Sequence, residues 1–431
     1  MGRPRMGSDH LAPDARGAPE TNEVHRGDPL RVAWLCPYPA VEFSHRPALK
    51  RVRLDVHPTP WITLQAPLVA ASPGIELHVI TVGKGFDSDD HFTDRGIHFH
   101  FLKVPRIPRA LMLYQMDRVR MARCVQALEP DVVQAFGTED SYALTAVTCG
   151  VPVITRLQGI QSQIVSAMSR AMLRPHPGVL VSILFERWTI RRCNHFITPT
   201  RFAEQFVRAI NPRAVTYRIS TPVREEFFQI SRSVSPEPEV LYVGTLLPAK
   251  GIHVLLRAFA DLKGWYPNAR LVLIGAAPDR SYMERVVRPL SRTLGISDRL
   301  DFRGAQSAGA VATAMGRASM LVLPTMMDTA PNVIAEAQVV GTPIIASAVG
   351  GIPDMIENGV SGLLTHPGDS AALADAIRQY LDDYGFAERL SLVARERARP
   401  QHRPQTQVEK LVRIYREIVG DVEANTPSVS A

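Results

Sequence analysis

Cysteine is scarce in this chain. The four in 431 residues, Cys36, Cys124, Cys149 and Cys193, show neither C-x-x-C spacing nor histidine companions, so a disulfide framework or a zinc site has no basis, and reduced thiols in a cytoplasmic protein are expected. Long apolar runs are missing too. The longest clean one covers residues 178–185, between Pro177 and Glu186, whereas spanning a bilayer takes about 20 residues. Residues 1–28 lack the apolar core of a signal peptide and read as a disordered leader; residues 421–431 read as a disordered tail. No G-x-G-x-x-G follows a strand-like run, and G-x4-G-K-[ST] is absent, which removes dinucleotide-dependent dehydrogenases and P-loop enzymes. The one Asp-x-Asp, in Asp87-Ser-Asp-Asp90, lies in a polar stretch that reads as a surface turn rather than a metal site. His45, His57, His91, His98 and His100 show no ligand spacing either.

What is present is an ordinary globular balance, 45% hydrophobic and 21% charged, with length for two or three domains. The formal charge is +7, and it is local. Residues 1–238 hold 29 basic and 22 acidic side chains, and residues 239–431 hold 20 of each. Between Arg156 and Arg224 stand 11 arginines against Glu186 and Glu204 alone. No aromatics interleave with these arginines in the pattern of a nucleic-acid module, so nucleic acid is not expected as a partner. Apolar positions such as Ile164, Met168, Leu180 and Phe185 alternate with Arg170, Arg174 and Arg187. That suits either a broken pair of amphipathic helices touching an anionic membrane or a lipid-linked acceptor, or a solvated face over core.

Short β-branched runs recur, each followed by enough chain for a helix. They fall at residues 31–36, 76–82, 97–104, 131–136, 151–156 and 195–199, then at 239–244, 270–275, 300–304, 320–324, 343–347 and 362–365. Continuous apolar runs spaced by helical segments (252–262, 281–293, 330–340 and 370–384 among them) indicate parallel strands covered on both faces. Residues 231–238, Ser-Arg-Ser-Val-Ser-Pro-Glu-Pro, have linker composition. The expected fold is α/β: two doubly wound, Rossmann-like domains at 29–230 and 239–400 facing across a cleft, with a C-terminal helix at 401–420 that can pack back on the first domain. Ligands of such sheets bind at the carboxyl ends of the strands.

The most informative segment runs from Leu323 to Ser347. A strand ends at Pro324, Asp328 stands in a loop, Thr329 is a candidate N-cap, Pro331 fits the first helical turn, and Gly341 closes the helix. Free amides at the helix start, Ala330–Asn332 with Pro331 between, suit a diphosphate. Asp328 and Glu336 are eight residues apart, roughly 12 Å at helical rise, a separation that suits two carboxylates accepting hydroxyl hydrogen bonds from one elongated ligand. Taken alone, the segment is equally an ordinary capped helix.

Residues 239–385 resemble the donor-binding domain of family 4 glycosyltransferases with the two-domain GT-B fold. The resemblance rests on Tyr242-Val-Gly-Thr-Leu-Leu-Pro-Ala-Lys-Gly251, on Asp328-x7-Glu336 followed by Gly341-Thr-Pro343, on Val349-Gly-Gly-Ile-Pro-Asp354 and on Glu357-Asn-Gly-Val-Ser-Gly-Leu-Leu364. It implies a retaining transfer of a hexose-type sugar from a nucleotide sugar, UDP- or GDP-linked, to a glycan or lipid-linked acceptor in polysaccharide synthesis, without a metal or other cofactor. It also implies that Asp328 contacts donor-sugar hydroxyls and Glu336 the ribose. Gly244, Thr245 and Lys250 complete the expected nucleotide-sugar site: the glycine lets backbone approach phosphate, and the lysine neutralises diphosphate charge. Thr245 stands where the family commonly has Arg. Gln158-Gly159 stands where many members have His-Gly, and Gln cannot titrate. Asp328, Lys250 and Gln158 are therefore the expected catalytic set. Cys36-Pro-Tyr-Pro39 and His57-Pro-Thr-Pro-Trp61 shape either the acceptor pocket or a structural loop. The changes at Thr245 and Gln158 leave a second class open, a catalytically idle nucleotide-sugar-binding partner of a polysaccharide assembly complex. A location in the cytoplasm, peripheral at the inner membrane face, follows from the same reading.

Overall fold

Residues buried on both faces of a parallel sheet must be apolar throughout, and each of the twelve runs named above becomes a strand. The computed structural model describes residues 28–52, 59–105, 113–138, 140–163, 165, 178–278 and 280–425. The first sheet contains β1 (Leu30–Leu35), β2 (Ile75–Gly83), β3 (Asp90–Asp94), β4 (Ile97–Lys103), β5 (Val132–Phe136), β6 (Val153–Arg156), β7 (His195–Thr198) and β8 (Val215–Arg218). Their order is β3-β4-β2-β1-β5-β6-β7-β8. The second contains β9 (Glu239–Val243), β10 (Arg270–Ile274), β11 (Leu300–Gly304), β12 (Met320–Leu323), β13 (Ile344–Ser347) and β14 (Leu363–Thr365), in the order β11-β10-β9-β12-β13-β14. Both sheets are parallel except where β3 runs antiparallel to β4.

The strands β3 and β8 were not foreseen. Each lies at a sheet edge and exposes side chains, so neither carries the continuous apolar run that marks a central strand. The acidic turn is consequently shorter than expected: Asp90 and His91 already belong to β3. Asp90 accepts two hydrogen bonds from the Arg46 guanidinium at 2.7 and 2.8 Å, and Asp89 pairs with Arg120. Among the described residues, no three His, Cys, Asp or Glu side chains are grouped to hold a metal ion. The expected helix over 281–293 is broken into Arg280–Tyr282, a π-helical turn at Met283–Val287, and Arg288–Thr293. Pro289 lacks the amide that an unbroken α-helix would use.

Alternating residues of the first sheet send one set of side chains to each face. Val32, Trp34, Phe136 and Ile154 pack against helix Pro60–Ala70 and the C-terminal helix Pro404–Asn425. Ala33, Leu35, Val133 and Ala135 pack against helices Gln115–Leu128 and Ser141–Ala146. The C-terminal helix thus covers the first domain. Its Tyr415 hydroxyl accepts from Trp34 Nε1 at 2.9 Å and donates to Gln134 Oε1. It also runs to Asn425, past the expected end at 420. The leader (1–27) and residues 426–431 of the tail lie outside the described residues.

The chain crosses between the domains twice, and the crossings are stapled together. Val223 N donates to His402 O at 3.0 Å, His402 Nδ1 meets Thr221 O at 2.7 Å, and Gln401 Nε2 donates to Ser220 Oγ at 2.9 Å. Composition placed the first crossing at 231–238, but Val223, Phe227 and Phe228 already belong to the core of the second domain. Their apolar side chains pack there, while the Ser/Pro stretch lies along that domain's surface, with Ser233 N and Ser235 N bonded to Gly316 O and Arg317 O.

Candidate active site

The second domain's wall is assembled by backbone close approach. Lys250 ends the turn Pro248–Lys250, and Gly251 follows with φ 71°. A Cβ at Gly251 would lie 1.9 Å from Pro324 O at the end of β12, so only glycine lets this turn press against the next loop. Gly350 (φ 55°) supports the other side, where a Cβ would meet Asp328 O at 1.9 Å. Gly351 N donates to that same oxygen at 3.1 Å. Three loops are thereby drawn together around Asp328. Lys250 Nζ reaches Asp328 Oδ2 at 2.6 Å, an ion pair with both side chains partly buried.

The helix carrying Glu336 starts later than sequence suggested. It spans Asn332–Val340, and Pro331, not Thr329, occupies the N-cap position with an extended ψ of 121°. The reason is local: a residue preceding proline is driven from helical geometry, so Ala330 cannot open the helix. The side chain of Pro331 offers no cap, and the early amides of Asn332 and Val333 precede the first intrahelical bond. Glu336 therefore sits little more than one turn in. Thr329 instead bridges the domains, its carbonyl accepting from Thr200 Oγ1 at 3.2 Å. Asp354 does the same, with Oδ2 accepting from Phe202 N at 2.8 Å.

These elements border an inter-domain cavity of about 650 Å³. Gly244, Thr245 and Lys250 line it from the β9 side, and Asp328, Ala330, Pro331, Asn332 and Glu336 from the β12 side. Gln158 faces them from the loop after β6. The nine residues of the expected catalytic and nucleotide-sugar sets thus line one cavity. Glu336 is half-buried in the cavity wall, and desolvation there pushes its carboxyl up to about 7, partly offset by the Arg224 guanidinium. Thr245 is held by backbone, its carbonyl accepting from the Tyr242 hydroxyl at 3.0 Å.

The first domain's wall was less legible. Pro60 and Trp61 line the cavity; His57 and Pro58 lie outside the described residues. Cys36 and Tyr38 do not line it. They are buried core residues, with Tyr38 in edge contact with Phe99 at 5.0 Å, because their apolar side chains fall on the inward face of the chain after β1. The loop after Gln158 is fixed by Glu186, a fully buried carboxylate that accepts from Gln161 N at 2.7 Å and Ser162 Oγ at 2.9 Å. Burial pushes the Glu186 carboxyl up, against these hydrogen bonds. Arg156 also lines the cavity and is 3% exposed. Sequence had counted it with the surface charge. Arg208 and Arg218 of the same stretch are both spent on Glu204.

The architecture and this site define the class of protein. One family model, Glycosyl transferase 4-like domain, matches residues 64–220, and a second, Glycosyl transferases group 1, matches residues 223–397. They meet where the chain first crosses between domains. The chain belongs to the family 4-like glycosyltransferases and has their GT-B fold. D-inositol 3-phosphate glycosyltransferase of Mycolicibacterium smegmatis is 35% identical over 195 residues, 44% of this chain and 43% of that one. The chain spans about half the length of the first curated relatives it matches. Sucrose-phosphate synthase from Thermosynechococcus elongatus superposes with a TM-score of 0.73 at 20% identity, over 91% of this chain and 99% of that one. HepE of Anabaena, solved in complex with UDP-glucose, does so with a TM-score of 0.63 at 18% identity, over 91% and 99%. At these identities the structural likenesses establish the fold.

Proposed function

We propose that this protein is a retaining glycosyltransferase that moves a hexose from a UDP- or GDP-linked donor to a hydroxyl of a glycan or lipid-linked saccharide. The observation that carries the reading is the Lys250–Asp328 pair at a helix start, facing Glu336 within one inter-domain cavity. A fold neighbour crystallised with UDP-glucose supports a nucleotide-sugar donor. In this reading Glu336 accepts hydrogen bonds from the ribose, Asp328 from the sugar hydroxyls, and Lys250 with the amides of Asn332 and Val333 meets the diphosphate. Protein groups, rather than a metal ion, balance the phosphate charge.

No histidine lines the cavity among the described residues, and Gln158 cannot take a proton. The acceptor oxygen attacks the anomeric carbon on the face that the diphosphate leaves. The new C–O bond forms as the old one breaks, and the acceptor proton passes to the departing phosphate oxygen. Gln158 then orients rather than titrates. Enclosure between the domains keeps water from competing.

The acceptor side rests on a surface feature. Of the ten exposed large hydrophobic side chains among the described residues, five cluster at two helices of the first domain: Leu113 in the turn before helix Gln115–Leu128, Met116 and Val119 on it, and Leu180 and Leu184 on helix Gly178–Arg192. The Tyr114 and Phe185 rings join the helices at 5.9 Å, and exposed Arg123, Arg187, Arg191 and Arg192 flank them. In a parallel α/β sheet the starts of such helices lie at the cleft end. An apolar rim there, with arginines further along the same helices, suits an anionic bilayer presenting a lipid-linked acceptor. No described helix is long and apolar enough to cross a membrane.

The test is donor turnover: release of nucleoside diphosphate from UDP- and GDP-hexoses, with and without acceptor, by the intact chain and by Lys250→Ala and Glu336→Ala. The reading expects release by the intact chain and its loss in both variants. Full activity in both variants would remove the site assignment, and calorimetric donor binding without any release or transfer would favour the idle binding partner.

A further inference from the structure

The cavity contains a cation that the family pattern does not supply. Arg156 closes β6 on the face covered by the C-terminal helix, beside Tyr415. It is 3% exposed, it lines the cavity, and its Nη1 has no hydrogen-bond partner among the described residues. Among the described residues no carboxylate forms an ion pair with it. Of the two acids lining the cavity, Asp328 is bound to Lys250 and Glu336 is held toward its neutral form by burial. Burial lowers the guanidinium only to about 10, so it remains charged at neutral pH. A buried charge without a counter-ion is strongly disfavoured; a site that retains one is shaped for an anion that arrives with a ligand.

A second observation points the same way. Two residues on, Gln158 Nε2 is likewise buried without a hydrogen-bond partner and lines the same cavity. Both side chains border the cavity, and each keeps an unpartnered nitrogen that is itself closed from solvent; turned toward a ligand, the guanidinium and amide N–H groups are the donor set that binds phosphate oxygens. The opposite wall is short of charge: Thr245 is uncharged, and Lys250 is already paired with Asp328.

We infer that Arg156 is a phosphate-binding residue, which meets from the first domain the diphosphate that Lys250 meets from the second. The inference rests on the nucleotide-sugar reading and adds to it a contact across the cleft, from the first domain to the diphosphate.

The experiment is calorimetric titration of the full chain with UDP, GDP and ADP and with the matching nucleosides, on the unaltered protein, Arg156→Met and Arg156→Lys. For whichever diphosphate binds the unaltered chain most tightly, Arg156→Met is expected to weaken binding at least tenfold, with Arg156→Lys between them and the nucleoside changed less than twofold. The melting temperature of unliganded Arg156→Met is expected to stay or rise, because an unpaired buried charge has gone. Diphosphate affinity within twofold of the unaltered chain overturns the inference and shifts the anion to the acceptor. So does an Arg156→Met chain that fails to fold, which makes the arginine structural. If no nucleoside diphosphate binds the unaltered chain, the nucleotide-sugar reading itself fails.

Discussion

The two walls of the cleft differ in how far their polar groups are satisfied without a ligand. On the second domain, Lys250 holds Asp328, the Tyr242 hydroxyl holds the Thr245 carbonyl, and Gly351 N holds the Asp328 carbonyl. On the first domain, Arg156 and Gln158 border the cavity and each keeps a buried nitrogen without a hydrogen-bond partner among the described residues. A satisfied wall is preorganised and has the same shape before and after binding. An unsatisfied wall gains its hydrogen bonds only when a ligand arrives, so binding energy can go into closing the cleft.

Breaking the preorganised wall has the largest expected effect. Lys250→Ala is expected to lower transfer about 100-fold or more, the scale seen when a preorganised electrostatic contact to developing charge is lost, with the melting temperature little changed. Asp328→Asn separates the two roles. It is expected to reduce transfer about 10- to 100-fold by weakening the grip on the sugar, while affinity for the free nucleoside diphosphate holds or rises because Lys250 is released. Equal loss of both would place Asp328 in phosphate binding by way of Lys250.

Glu336 adds a pH dependence. Its folded carboxyl titrates near 7 and its ordinary value is 4.5, so the folded protein binds the proton more tightly than the unfolded chain. Stability from this group is full below about 4.5, falls as pH rises toward 7, and stays low above; the upper bound is about 3 kcal/mol. Glu336→Gln is expected to raise the melting temperature at pH 8 and leave it unchanged near pH 4. Ribose hydroxyls favour the ionised carboxylate, so nucleoside affinity of the unaltered chain is expected to rise by up to about tenfold from pH 6 to pH 8. A flat profile in the unaltered chain would remove Glu336 from the ribose contact.

The smallest effects belong to the first domain's rim. Leu180→Glu with Leu184→Glu changes exposed side chains only, so folding is expected to persist within about 0.5 kcal/mol. Co-sedimentation with anionic liposomes at low salt is expected to fall severalfold, and turnover of a water-soluble acceptor to be unaffected. No sedimentation of the unaltered chain at low salt would remove the membrane contact.

The same contrast explains what could be read in advance. The second wall is encoded locally: strand, turn and helix start follow within short segments, and spacing alone brings Gly244, Lys250, Asp328 and Glu336 toward one sheet edge. Its one misreading, the helix start, came from weighing the fitness of Pro331 for a first turn above its effect on Ala330. The first wall is encoded by tertiary packing. Of the eleven arginines from Arg156 to Arg224, Arg156 alone falls at the end of an expected strand, but the charge count concealed this, and its burial beside Tyr415 comes from the C-terminal helix nearly 250 residues on. Cys36-Pro-Tyr-Pro39 misled in the opposite direction, since a loop beside the cleft sent its side chains into core. The edge strands β3 and β8 escaped because half-exposed strands carry no continuous apolar run, and the domain boundary because Phe227 and Phe228 outweigh the Ser/Pro composition that follows them.

The central claim is that a nucleotide sugar occupies the cleft against Lys250, Asp328 and Glu336. The most direct test is a thermal-shift panel of UDP-, GDP-, ADP- and TDP-sugars on the intact chain and on Glu336→Ala, since a ligand that binds only the folded state raises the melting temperature by mass action. The account predicts a clear rise with one UDP- or GDP-sugar, lost in Glu336→Ala. No rise with any of the four, or an equal rise in the variant, would contradict it.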